Sequence, residues 1–330
     1  MKLNNKGFAF STMLYGALSL IVVVLALVFS IVQRSKSETF YFATEIEDEL
    51  NECVFEEVAL ENCYVTNSGC DATSYYACMG ISGDSSGATG FLIAEALKQN
   101  VITAGDGLYQ DSIDAKRYVY KGMNVNNYIK YAGLIWRIVS IEADGSVKVV
   151  FPGYTETVEW DVASGTEWGD SSLNNYLNTQ IYTSLVDVSG LVKKIWYVGS
   201  IKRDAETSYT LAWLNSKEKS SEYMGNSGNL GMFGLPSAVD FVKASLDSTC
   251  SGSVLDSTTC NSWLSGYKTW LINYDADSTT EQHAYYINGD HKLSSMAVNT
   301  KFTILPTMFL KRTLVIASGT GTTADPYTVR

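Results

Sequence analysis

Leu-Ile-Trp-Arg-Ile-Val-Ser-Ile, residues 134–141, leads through Ala143-Asp144-Gly145-Ser146 into Val-Lys-Val-Val-Phe, residues 147–151. The first segment is apolar on both faces except at Arg137 and Ser140, which is the pattern of a central strand covered on two sides. Asp-Gly between two such runs is a hairpin turn signal. In the second segment Val147, Val149 and Phe151 alternate with Lys148, so it reads as a strand with one buried face. Residues 134–151 therefore predict a hairpin, and the hairpin predicts a β-rich region around it.

Working outward, Asp170-Ser171-Ser172 can cap a helix whose Leu173, Tyr176, Leu177 and Ile181 share one face. A further helix is expected over 238–245 and a short loop over 250–260. Residues 262–271, 285–288 and 303–311 read as strands or buried segments, and 314–316 as a last short strand. N-terminal to the hairpin, residues 91–100 (Phe-Leu-Ile-Ala-Glu-Ala-Leu-Lys-Gln-Asn) predict a short amphipathic helix. Gly105-Asp106-Gly107 then interrupts the chain, and a domain boundary is expected there.

Residues 8–32 hold no charge and no proline. A bilayer core of about 30 Å needs roughly 20 apolar residues in a helix, so this run is long enough to span with some tilt. Beyond Arg34, residues Phe42, Ile46, Leu50, Val54 and Val58 recur every four positions, which is helical spacing. One helix is expected from about residue 8 to about 57. The fold class is then α+β: a long, membrane-spanning N-terminal helix followed by a β-rich mixed head. The expected divisions are 1–7, a leader; 8–57, the helix; 58–104, a Cys/Gly connector containing a short helix; and 105–330, the head.

The net charge of −11 and the scattered lysines and arginines leave no basic face, so nucleic acid is not expected as a partner. Lys2 and Lys6 precede the apolar run while Arg34 and Lys36 follow it, which leaves orientation open on charge alone. All six cysteines lie beyond the run. That fits disulfides outside the membrane; the competing reading is reduced thiols in a cytosolic domain. Cys250 and Cys260 bracket a polar loop and are expected to pair. Cys53, Cys63, Cys70 and Cys78 are expected to form two more bridges, with all three pairings open.

Candidate chemistry is sparse. Gly319-Thr-Gly-Thr-Thr-Ala matches a dinucleotide fingerprint on paper, but Asp325-Pro326 leaves no room for the helix that fingerprint must open. Asp275-Ala-Asp277-Ser-Thr279 starts like a calcium loop, yet Thr280 and Tyr286 stand where Gly and Glu are needed. The two histidines, His283 and His291, have no zinc-ligand spacing. No nucleophile-elbow sequence is present, and no cofactor is expected. Trp160, Asp161, Trp168 and Asp170 combine aromatics with carboxylates, a set that can stack on and hydrogen-bond a sugar. The competing reading makes the tryptophans core and the aspartates caps.

Two resemblances add to this reading. Lys6-Gly7-Phe8 before a long apolar helix resembles the leader of type IV pilins and pseudopilins. The resemblance implies cleavage between Gly7 and Phe8, methylation of the new terminus, and other pilin-like subunits as partners. Thr12 stands where that family carries the Glu that registers subunits in a filament. From about residue 107 onward the chain resembles an uncharacterised surface module of Gram-positive bacteria. The likeness lies in Tyr-Lys-Gly (120–122), Asn-Asn-Tyr-Ile-Lys-Tyr (126–131), Trp-Arg-Ile-Val-Ser-Ile-Glu-Ala-Asp-Gly-Ser-Val-Lys (136–148), Trp168 with Ser172-Leu173 and Tyr176-Leu177-Asn178, the 231–245 segment and the 319–329 exit; it is looser toward lectin-like and formylglycine-enzyme-like domains. The expectation is a single-pass cell-membrane protein with an extracellular, non-catalytic head for adhesion or assembly. The alternatives are an extracytoplasmic enzyme or glycan-binding lectin-like domain acting on envelope polymers, and a minor pseudopilin of a secretion or DNA-uptake machine.

Overall fold

The computed structural model describes residues 91–163, 165, 167–198, 214–215, 229–247, 250, 259–275 and 282–330. The leader, the apolar run and Cys53, Cys63, Cys70 and Cys78 lie outside the described residues. Among the described residues no helix is long and apolar enough to cross a membrane.

The described chain is β-rich with few, short helices. Its strands are β1 Phe91–Leu92, β2 Gly107–Gln110, β3 Tyr118–Lys121, β4 Tyr128–Tyr131, β5 Leu134–Ile141, β6 Val147–Val150, β7 Thr157–Glu159, β8 Lys194–Trp196 and β9 Asn229–Gly231. They continue with β10 Phe233–Gly234, β11 Thr269–Asp275, β12 His283–Ile287, β13 Leu293–Ala297, β14 Lys301–Thr303, β15 Thr307–Leu310, β16 Val315–Ser318 and β17 Tyr327–Val329. The helices are α1 Ile93–Lys98, α2 Ser172–Tyr176 with its π-helical continuation Leu177–Ile181, α3 Tyr182–Ser184 and α4 Ala238–Lys243.

β5 and β6 form the expected hairpin, with Arg137 opposite Val150 and Ile141 opposite Val147. Gly145 closes the turn at φ +82°, a backbone region that glycine enters without a Cβ clash. The Glu142 amide donates to the Ser146 carbonyl at 2.8 Å, and Asp144 Oδ1 accepts the Ser146 amide. The hairpin is the middle of a ten-stranded sheet in the order β1-β16-β17-β4-β5-β6-β15-β10, with β2 and β3 joined at the side of β5. Only β17 and β4 run parallel among these pairs. A three-stranded sheet β11-β12-β13 and two ribbons, β7-β14 and β8-β9, complete the set.

The domain boundary moves. Phe91 and Leu92 are a strand paired with Ile316 and Val315, not the start of a helix. The helix that follows buries Ile93 and Leu97 completely in the same core. The head therefore takes in residues assigned above to the connector, and the break at 105–107 falls inside it. Residues 262–267 are turns before β11 rather than strand, and Ile304–Pro306 separates β14 from β15.

Both expected helices form, and both are capped. Ser171 Oγ accepts the Asn174 amide. Ser237 and Asp240 make a reciprocal capping box on α4. Every residue of α4 is buried, including Asp240 and Lys243. Each charge finds an opposite one: Lys148 of β6 reaches Asp240 at 2.5 Å, and Lys243 reaches Asp111 at 2.5 Å. Arg137 is also buried, held between the rings of Tyr128 and Trp263 at 4.5 Å from each. Its Nε donates to Asn127 Oδ1 at 2.8 Å. Stacking of a desolvated guanidinium on aromatic faces contributes about 2 kcal/mol in favourable cases.

Burial alone would raise the Asp240 and Asp111 carboxyls. The facing Lys148 and Lys243 ammonium groups outweigh it, and both carboxyls are held below the ordinary carboxylate value. A depressed folded value gives stability that is complete above the unfolded value, about 3.9, and is lost as the pH falls through the folded one. Urea unfolding should show constant stability from these pairs at neutral pH and a steady loss below about pH 4. Lys148→Met leaves the Asp240 carboxylate buried without its cation and should cost about 3–5 kcal/mol in the same measurement.

Candidate functional site

Trp160 and Trp168 are both fully buried, with rings 5.5 Å apart and tilted by 57°. The Trp160 indole donates to the Leu271 carbonyl at 3.0 Å. Asp161 is buried beside them; its Oδ1 accepts the Ser172 amide at 3.0 Å and its Oδ2 the Gly165 amide at 2.7 Å. Asp170 alone of the four is exposed, at the end of the turn Trp168–Asp170. The sugar platform expected from these residues is not there: the rings are core and Asp161 orders the loop. The physical reason is the area of the indoles, whose burial is favourable once the Trp160 N–H finds its acceptor on β11 at Leu271.

The same holds across the head. Six of the seven tryptophans are described, and all six are buried. Five of them donate their indole N–H to a backbone carbonyl on another segment: Tyr131, Leu271, Gly231, Tyr120 and Val158.

The remaining sequence candidates also take structural positions. Cys250 and Cys260 form a disulfide with Cα atoms 5.2 Å apart. His291 Nδ1 lies 2.9 Å from Ser265 Oγ, a pair that suggests nucleophile chemistry by composition. Ser265 is buried in a tight turn, where its Oγ also accepts the Ser262 amide at 2.8 Å and contacts the Ser262 carbonyl at 2.9 Å. His291 sits at φ +58° in the β12–β13 loop, and its carbonyl accepts the Cys260 amide. The pair therefore fastens that loop to the segment after the disulfide. His283 lies on β12, and no group of three His, Cys, Asp or Glu side chains suited to a metal is found among the described residues. Gly319–Asp325 lies in the connection between β16 and β17, not before a helix.

An aromatic–carboxylate group does exist at the surface, built from other residues. Tyr154 and Glu156 lie in the chain between β6 and β7, and Tyr176 ends α2. Glu156 Oε2 lies 3.0 Å from both Tyr154 Oη and Tyr176 Oη. The two phenols also contact each other. Both tyrosines are half-buried and Glu156 is exposed. Phe151, in ring contact with Trp136 at 5.2 Å, lies three residues before Tyr154. The rings of this group are tyrosines, not the tryptophans that the sequence singles out beside carboxylates. The signal was Tyr154-Thr-Glu156 in a loop, with Tyr176 on the helix face already read as amphipathic.

This group can present aromatic surface, two hydroxyls and one carboxylate to a polyol without further rearrangement. Comparison with family models, with curated proteins and with solved structures finds no match to this chain. Burial, the Tyr176 hydroxyl and the Glu156 carboxylate together push the Tyr154 phenol well above its ordinary value. In an ultraviolet titration Glu156→Gln should bring one tyrosine to ionise at lower pH than in the wild type, while Asp170→Ala leaves the curve unchanged.

Proposed function

We propose that this chain is a membrane-anchored, pilin-like cell-surface protein whose β-rich head binds glycans without catalysing a reaction. The observation that supports the binding site most directly is the Tyr154–Glu156–Tyr176 group. A carboxylate fixed by two phenols at the surface is an acceptor already oriented for sugar hydroxyls, and preorganisation lowers the entropy cost of binding. The uncharged run at 8–32 supports the anchor, and Lys6-Gly7-Phe8 supports pilin-like processing. The Cys250–Cys260 disulfide supports an extracellular head. Other pilin-like subunits are the proposed assembly partners.

The test is binding of the detergent-extracted full chain to a carbohydrate array. The wild type should bind a subset of glycans. Glu156→Gln removes a charged hydrogen bond and should weaken binding by roughly tenfold or more. Asp170→Ala should bind as the wild type does. No bound glycan, or binding that Asp170→Ala abolishes and Glu156→Gln leaves intact, contradicts the proposal.

A further inference from the structure

Lys243 is the last residue of α4, and its side chain is 3% exposed. Its Nζ lies 2.5 Å from Asp111 Oδ2 and 3.0 Å from Asn215 Oδ1. The Asp111 side chain is 1% exposed. Asp111 follows β2 and is held in place, because its Oδ1 accepts the Ile113 amide at 2.9 Å and its own amide donates to the Arg117 carbonyl. One buried lysine thus touches a carboxylate and a carboxamide at once. The neighbouring pair has no such third member: Lys148 meets Asp240 and the rings of Trp196 and Phe309.

A lysine needs only the carboxylate to be neutralised. The carboxamide adds something else, an electrophilic carbon beside a nitrogen nucleophile and a proton acceptor, with the amine and the carboxylate buried and Asn215 half-buried at their edge. We propose that Lys243 and Asn215 join in an intramolecular isopeptide bond, with Asp111 as the proton carrier.

The chemistry balances within the three side chains. Lys243 gives one proton to Asp111 Oδ2 and becomes a neutral amine; the net charge of the pair does not change. The Nζ lone pair adds to Asn215 Cγ, forming the new C–N bond, and the carbonyl π pair moves onto Oδ1. Nζ then loses a second proton, which Asp111 relays to Nδ2. The oxygen lone pair returns, the Cγ–Nδ2 bond breaks, and ammonia leaves. Asp111 keeps one proton as the neutral acid. The product is an amide with no buried charge, so the desolvation cost of the ion pair is removed. Holding amine and carboxamide together supplies the effective concentration that an uncatalysed aminolysis lacks. The bond would tie the segment carrying Asn215 to α4 covalently, which suits a head exposed to mechanical load or protease.

Peptide mapping of the purified, reduced full chain tests this. The wild type should give a branched peptide in which Lys243 and Asn215 are joined with the loss of one ammonia, and trypsin should not cut after Lys243. Asn215→Ala leaves the ion pair in place; it should fold, lack the branch, and be cut after Lys243. Linear peptides with unmodified Asn215 and a free Lys243 from folded wild type would overturn the proposal. So would loss of water with Lys243 joined to Asp111.

Discussion

The Lys148–Asp240 pair joins the middle of the sheet to a helix that has no exposed residue. α4 is six residues long, too short to stand by its own hydrogen bonds. Its stability must come from packing, and packing on all sides places Asp240 and Lys243 in the interior. Asp240 does two things there. Its carboxylate accepts the Ser237 amide at 2.8 Å to complete the capping box, and it takes the Lys148 ammonium. Removing either cation would leave a buried carboxylate, so strand β6, the helix and the loop behind Asp111 fix one another's positions. Lys148 is the one polar side chain in β6, and the Trp196 and Phe309 rings cover it at 5.6 and 5.7 Å.

Around this centre the tryptophans act as staples. Each indole fills a large volume and ends in a single donor, so a buried tryptophan must find an acceptor at a fixed distance. Trp136 ties β5 back to Tyr131, Trp263 ties the turn before β11 to Tyr120, and Trp270 ties β11 to Val158. The first adds a side-chain bond within the paired β4 and β5, while the Trp263 and Trp270 bonds join segments that share no backbone ladder. Trp168 Nε1 is the exception, a buried donor with no partner among the described residues, which an ordered water would satisfy.

The local features of the head were legible in the sequence. The hairpin at 134–151 shows in its two-sided apolar pattern, the helix after Ser171 in its cap, and the Cys250–Cys260 bridge in its short polar loop; the helix at 238–245 is expected from the sequence, but its Ser237 cap is not read there. Features made by distant pairing were not. Phe91-Leu92 looks like the start of an amphipathic helix because nothing nearby shows that its partner is Val315-Ile316. Arg137 is a lone charge in a strand until Tyr128 and Trp263 close on it. The candidate site failed for a related reason: Trp160 and Trp168 are amphipathic enough to be core or platform, and only the fold decides between them. Tyr154, Glu156 and Tyr176 meet through a loop and a helix end some twenty positions apart; the local signals, Tyr-Thr-Glu and a helix-face tyrosine, do not show that the two come together.

The claim that α4 is the fixed centre of the head is tested most directly by native-state hydrogen exchange. The Phe241 and Ala244 amides donate to Ser237 and Asp240 within this helix. They should exchange only through global unfolding, with the same opening free energy as the β5 and β6 amides. Exchange of these two amides through a local opening well below that value would show that the buried helix is peripheral and contradict the account.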